Sequence, residues 1–289
     1  MIKRRCFNFT ARGRLLSLGK STALMGIVNV TPDSFSGDGQ LRHKDFISQA
    51  VARAAGMVDQ GAHIIDIGGE STRPGASVVT AQEEVRRVIP VIASLVAARR
   101  EVIVSVDTSK ALVAKEALIA GAHIVNVVQS HKVSEGLLKL VRSFEAGIVL
   151  MHMRGTPRTM QAMSQYQRLV PEIILELERI VKVACSAGLE RRQIIIDPGI
   201  GFAKSAQDNF MLIRELGRFK SLALPILIGV SRKSFIGKLL DVDPVERLFG
   251  SVAAVVASVL EGAHIVRVHD IVQMKQAVSV ADAVLSGGT

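Results

Sequence analysis

Short runs of β-branched and aliphatic residues alternate with amphipathic stretches along nearly the whole chain. Strands are predicted at Ala23–Asn29, His63–Ile67, Val102–Val106, His123–Asn126, Ile148–Met151, Gln193–Ile196, Pro225–Gly229 and His264–Val268. Each is apolar throughout rather than alternating, as in strands covered on both faces. Helical periodicity follows each run, over about 43–60, 81–98, 109–120, 133–145, 168–187, 206–218, 244–261 and 270–286. Eight βα units in this length predict an α/β fold of the (β/α)8 TIM-barrel type. An open doubly wound sheet is the competitor, but no GxGxxG follows the first strand.

A repeat supports the count. Gly-Ala-His-Ile recurs at 61–64, 121–124 and 262–265. Each glycine fits a left-handed helix end, and the next strand begins at once. His63, His123 and His264 are therefore expected to be structural. No linker or change of composition marks a second domain. Residues 1–22 precede the barrel (23–289) as a basic extension, with a hairpin around Ala11-Arg12-Gly13 expected to cap its bottom.

Composition narrows the function. The chain has 289 residues, a net charge of +10, no tryptophan and one tyrosine, Tyr166. Six of the positive charges lie unopposed in the first 20 residues. With no aromatic platform beside them, they read as a solvated basic segment rather than a nucleic-acid surface. Cys6 and Cys185 form no disulfide or metal motif and read as thiols in a reducing compartment, the cytoplasm. The longest apolar runs have about nine residues, short of the roughly 20 that span a bilayer. Arg12, Arg14 and Lys20 interrupt any signal-peptide core.

In a barrel, chemistry belongs at the strand C-termini, and there every strand delivers a polar group. They are Asn29, Asp66 with GGESTRPGA behind it, Asp107, Asn126, His152, Asp197, the loop SRKS, and Arg267 with His269. A lone aspartate after a strand reads more simply as a helix cap; eight coincidences do not. Arg267, His269, Arg73, Asn29 and the SRKS loop suit an anion such as phosphate. Asp107, Asn126 and Asp197 are acceptors suited to a flat, donor-rich heterocycle, with Lys233 facing its acceptors. Loops 30–42 and 68–80 are placed to close over such a ligand. HExxH, GxSxG, a P-loop and a cysteine cluster are all absent, which argues against covalent catalysis by Ser or Cys.

Seven motifs in order carry a resemblance. MGIVNVTPDSFSGDG, DIGGESTRPGA, SVDTSK, MHMRGTPRTMQ, DPGIGFAKS, GVSRKSFIG and IVRVHD together resemble the bacterial dihydropteroate synthases, pterin-binding TIM barrels. The resemblance implies a transferase of folate biosynthesis. It would join 6-hydroxymethyl-7,8-dihydropterin pyrophosphate to p-aminobenzoate with Mg2+ as cofactor, by dissociative displacement of pyrophosphate. It also implies a homodimer and sulfonamides as competitors. Asp107, Asn126, Asp197 and Lys233 would hold the pterin, with Asp107, Asp197 and Lys233 catalytic. Asn29 would meet the metal and the pyrophosphate, joined by Arg73, Arg267 and His269. Phe35, Thr72, Arg73, Pro74, Phe202 and Ser234 would form the p-aminobenzoate pocket. Arg232 orients its loop or is a solvated flank.

One departure stands out. Val127 occupies a position where the family usually has an acid, a change that would alter loop packing or weaken the pterin site. Two other readings remain open. One is a barrel that transfers the methyl group of methyltetrahydrofolate; the other is a pterin-binding paralogue without turnover.

Overall fold

The computed structural model describes residues 4–31, 43–71 and 78–287, the side chains of 43–45 excepted. Two strands, β1 (Phe7–Ala11) and β2 (Arg14–Leu18), form an antiparallel hairpin around Arg12-Gly13. Eight parallel strands follow: β3 (Ala23–Asn29), β4 (Ile64–Gly68), β5 (Ile103–Asp107), β6 (Ile124–Val127), β7 (Gly147–Met151), β8 (Ile194–Asp197), β9 (Leu227–Ile228) and β10 (Ile265–Val268). Their spatial order is β8-β7-β6-β5-β4-β3-β10-β9. The ring closes through one parallel bridge, Ile196 to Ile226, where the Ile196 N–H donates to Pro225 O at 3.0 Å. The predicted strand 225–229 shrinks to two residues: Pro225 has no N–H to give, and the Ile226 N–H goes to His264 Nδ1 instead of a ladder.

Helices cover the outside: α1 (His43–Asp59), α2 (Ala81–Ala98), α3 (Ala111–Ile119), α4 (Glu135–Ser143), α5 (Leu169–Ser186), α6 (Ala206–Arg214), α7 (Ser234–Leu240), α8 (Leu248–Leu260) and α9 (Ile271–Ser286). Sequence periodicity missed α7. Its seven residues, SFIGKLL, are too few to show a helical period. It also overextended the helix predicted over 206–218, which ends at Arg214 and is followed by a 3-10 turn over Leu216–Leu222.

The Gly-Ala-His-Ile repeat does the same job three times. Gly61, Gly121 and Gly262 have φ of +104°, +108° and +105°. The histidine rings then accept backbone N–H groups from the neighbouring strand. His63 Nδ1 takes Leu24, His123 Nδ1 takes Val104 and His264 Nδ1 takes Ile226, at 3.1 to 3.2 Å. Burial holds His123 and His264 at about 4, so both rings stay neutral and remain acceptors. The histidines stand just before the ladders, which is why these three strands begin one residue later than predicted.

The pleat sorts each strand into an outer apolar set and an inner set. The inner set is itself divided. Low in the barrel it is apolar: Met25, Ile64, Ile103, Ile124, Val149, Ile195, Leu227 and Ile265 pack on Phe9, Ala11 and Leu18 of the hairpin. Phe9 enters where Gly147 leaves room, since a Cβ there would lie 2.3 Å from the ring. The basic extension is solvated at Arg5, Arg14 and Lys20, while two of its arginines are tied to the barrel. Arg4 pairs with Asp282, and Arg12 donates to the Leu118 and Ala122 carbonyls at 2.7 Å. Arginine's several donors suit the unmet carbonyls at helix C-termini, which accumulate at the bottom of a barrel.

Candidate functional site

One pleat above the apolar layer, the inward positions of most strands turn polar. They are Asp66, Ser105, Asn126, Asp197 and Arg267, with Asp107 and Asn29 at the strand ends. Pairing places Asp66 beside Ser105, and Asp107 beside Asn126. The strands thus carry separate residues of the sequence into one ring.

Arg267 is the hub. Its Nε donates to Asp66 Oδ2 at 2.6 Å and its Nη2 to Asp107 Oδ2 at 2.9 Å. Asn126 Nδ2 donates to the same Asp66 oxygen at 3.0 Å. Burial opposes the Arg267 charge, but Asp66 and Asp107 outweigh it and raise its pKa. Asp107 is pushed up to about 7 by burial and by Asp66, against the pull of Arg267. Burial also raises Asp197, opposed by Lys233, by the Gly199 N–H and by Lys204. Lys233 is lowered to about 8 by burial, with Asp197 opposing. These are the groups a polar ring ligand would meet, each held off its usual value.

The SRKS loop has its answer in this geometry. Arg232 adopts φ +57° and its Nε donates to Asp270 at 2.9 Å, so it orients the loop rather than flanking it. Lys233 caps α7, donates to Ile200 O, and stands 4.7 Å from the Phe202 ring centre. Ser234 opens α7 and is exposed. Ser231 Oγ lies 3.1 Å from His269 Nδ1 and accepts the His269 N–H at 3.3 Å. Burial, with Arg267 and Arg53, holds His269 at about 4, so it is neutral in a cationic corner. Phe35, Thr72, Arg73 and Pro74 lie outside the described residues.

Val127 does not reach this ring. Strand alternation turns it outward, fully buried among the helices, while Asn126 faces in. Its apolar character fits where it lies.

Sequence reasoning assigned no role to three groups. Asp66 was legible as the one polar residue inside IIDIG, at the inward parity of Ile64. Lys204, only 4% exposed, sat unused in DPGIGFAKS, and burial brings it down to about 7. Glu176, on α5, gave no signal. Its carboxylate meets His152 Nε2 at 2.9 Å and Arg154 Nε at 3.1 Å. Burial alone would raise Glu176; those bonds outweigh it and hold it at about 2.

Known proteins share both sequence and fold with this chain. Residues 25–269 match the family model described as pterin binding enzyme. A dihydropteroate synthase from Synechocystis is 46% identical over 272 residues, covering 93% of this chain and 92% of that protein. The Yersinia pestis dihydropteroate synthase, solved in complex with a sulfonamide drug, superposes with a TM-score of 0.89 at 41% identity, covering 97% of this chain and 100% of that one. The Xanthomonas albilineans dihydropteroate synthase, solved with 4-aminobenzoic acid, superposes at 0.88 and 41% identity, covering 97% and 98%. The polar ring therefore sits in a barrel matched along almost its full length, and the chain belongs to the pterin-binding enzyme family, in its dihydropteroate synthase branch.

Proposed function

We propose that the chain condenses 6-hydroxymethyl-7,8-dihydropterin pyrophosphate with p-aminobenzoate, giving 7,8-dihydropteroate and pyrophosphate. The polar layer of Asp66, Asp107, Asn126, Asp197 and Arg267, closed by Lys233, carries the reading. Asp66 Oδ1 and Ser105 Oγ are buried there without a hydrogen-bond partner among the described residues. Buried polar atoms left unpaired are costly, and a ligand rich in donors and acceptors would offset that cost.

In this reading Asp107, Asn126 and Asp197 accept the donor edge of the pterin, and Lys233 donates to its ring acceptors. Arg267 and His269, with Asn29 and Arg73, hold the pyrophosphate. The bond between the exocyclic CH2 and the bridging oxygen breaks, and its electron pair leaves with the pyrophosphate. The pterin spreads the resulting positive charge, which Asp107 and Asp197 stabilise. The amine lone pair of p-aminobenzoate forms the new C–N bond, and the nitrogen releases a proton. Orientation and charge stabilisation supply the rate. Phe202, Ser234, Phe35, Thr72, Arg73 and Pro74 shape the pocket of this second substrate, where sulfonamides would compete.

A Mg2+ ion fits the donor set. No cluster of three His, Cys, Asp or Glu residues able to hold a metal occurs among the described residues. Mg2+ commonly takes few protein ligands and binds substrate phosphates and water instead. Asn29 would hold it beside the pyrophosphate, where it would neutralise charge on the leaving group.

Two further points belong to the same proposal. The outer faces of α6, α7 and α8 form an apolar groove of about 560 Å3, bordered by Leu239 and Leu240. Nearby, Val245 and Phe249 are 74% and 83% exposed. A patch of this kind marks an interface, and a second copy of the chain is the occupant we assign. Sedimentation should give a dimer, and Phe249→Asp a monomer. No described helix is long and apolar enough to cross a membrane, and two free thiols fit the cytoplasm.

Chromatographic detection of 7,8-dihydropteroate tests the reaction. Product that requires both substrates and Mg2+ supports it. Tight pterin binding without product would favour the paralogue without turnover.

A further inference from the structure

Lys204 is almost wholly buried, yet the proposed chemistry makes no use of it. A buried lysine implies partners. Its Nζ donates to the Phe202 carbonyl at 2.8 Å and to His152 Nδ1 at 3.0 Å. The other ring nitrogen of His152 meets Glu176 Oε2 at 2.9 Å. The Glu176 carboxylate can only accept and the His152 ring is neutral, so Nδ1 is left as the acceptor and Lys204 is the donor. The ring proton then lies on Nε2, facing the carboxylate. Arg154 closes the far end, donating to Glu176 through Nε at 3.1 Å and to Glu172 through Nη2 at 2.9 Å.

The relay fixes a single turn. Gly199 has φ +74°, and a Cβ there would fall 1.9 Å from His152 O, so the turn is pressed against the end of β7. The Phe202 N–H returns to Gly199 O at 3.1 Å. Asp197, which starts the turn, is held by other bonds. Its Oδ1 accepts the Gly199 N–H at 2.7 Å, and its carbonyl accepts the His152 N–H at 2.8 Å. Lys204 therefore acts on the Phe202 end of the turn, while separate contacts secure the Asp197 end.

We propose that Lys204, oriented by His152 and Glu176, is a positioning residue for the second substrate: it fixes Phe202 as a wall of the p-aminobenzoate pocket and bears on the pterin ligands only through its charge near Asp197. The inference rests on the condensation proposed above.

Lys204→Met keeps the stem and removes the donor. Steady-state kinetics beside wild type should show the KM for p-aminobenzoate raised about tenfold, the scale of one lost charge-assisted bond. The KM for the pterin substrate should rise by a clearly smaller factor, because that side loses only the charge of Lys204 near Asp197. Glu176→Gln, at the partly exposed end of the relay, should shift the same ratio in the same direction by about threefold. A merely structural residue would move both KM values together. Equal rises in both, or no change in either variant, would overturn the assignment. Should Lys204→Met fail to fold, the ratio in Glu176→Gln decides alone. Wild-type enzyme without turnover would instead sink the condensation reading, and this one with it.

Discussion

Replacing Arg267 by methionine removes the hub of the polar layer and keeps an unbranched apolar stem. Two carboxylates then lose their cation: Asp66, fully buried, at 2.6 Å, and Asp107, 12% exposed, at 2.9 Å. The Arg267 side chain is itself only 20% exposed, so solvent screening is weak. Removing one partner of a buried pair costs about 3–5 kcal/mol. The penalty has a pH signature. Asp107 already sits near 7, far above its usual 3.8, and Arg267 is the influence that lowers it. Without Arg267 it rises further. An acid whose folded pKa lies above its unfolded one destabilises the fold above the unfolded value, and the penalty grows until the folded value is passed. Urea denaturation of wild type and Arg267→Met at pH 5.5 and pH 8 measures this. The variant should lose about 3–5 kcal/mol at pH 8 and clearly less at pH 5.5. A loss under about 1 kcal/mol at pH 8, the scale of a surface pair, or an equal loss at both values, would refute the assignment of Arg267 as the hub.

Further outcomes follow from the same geometry. The pH profile of kcat/KM should be bell-shaped, with an acid limb near 7 from Asp107 and an alkaline limb near 8 from Lys233. Lys233→Arg should move only the alkaline limb upward; an unmoved limb would deny Lys233 that role. Pyrophosphate binding should draw a proton onto His269, neutral at about 4 in the free protein. Calorimetry in buffers of different ionisation enthalpy should show uptake in wild type and less in His269→Gln. Phe9→Ala should cost about 3–5 kcal/mol by opening a cavity at the barrel bottom. Its kcat should remain at the wild-type value, because the polar layer lies above; a collapsed kcat in folded protein would contradict that separation.

The barrel was legible because buried parallel strands are written as apolar runs, and the Gly-Ala-His-Ile repeat marks three of their starts. The strand ends alone place Asp107, Asn126, Asp197, Arg267 and His269 on one rim. Their pairing was not readable. Arg267 and Asp66 lie 201 residues apart and meet only because β10 and β4 flank β3 in the ring. Glu176 is equally silent, one carboxylate among many on an amphipathic helix, until α5 packs it beside His152. Val127 misled for a related reason. A motif position records residue type, while parity decides which face it occupies, and Val127 faces the helices.

Pyrophosphate release from 6-hydroxymethyl-7,8-dihydropterin pyrophosphate, with Mg2+ and with or without p-aminobenzoate, tests the central claim most directly. It should be run on wild type beside Asp197→Ala and Lys233→Ala. The account predicts release that depends on p-aminobenzoate and collapses in both variants. Release that ignores p-aminobenzoate, or that survives the loss of Asp197 and Lys233, would contradict it.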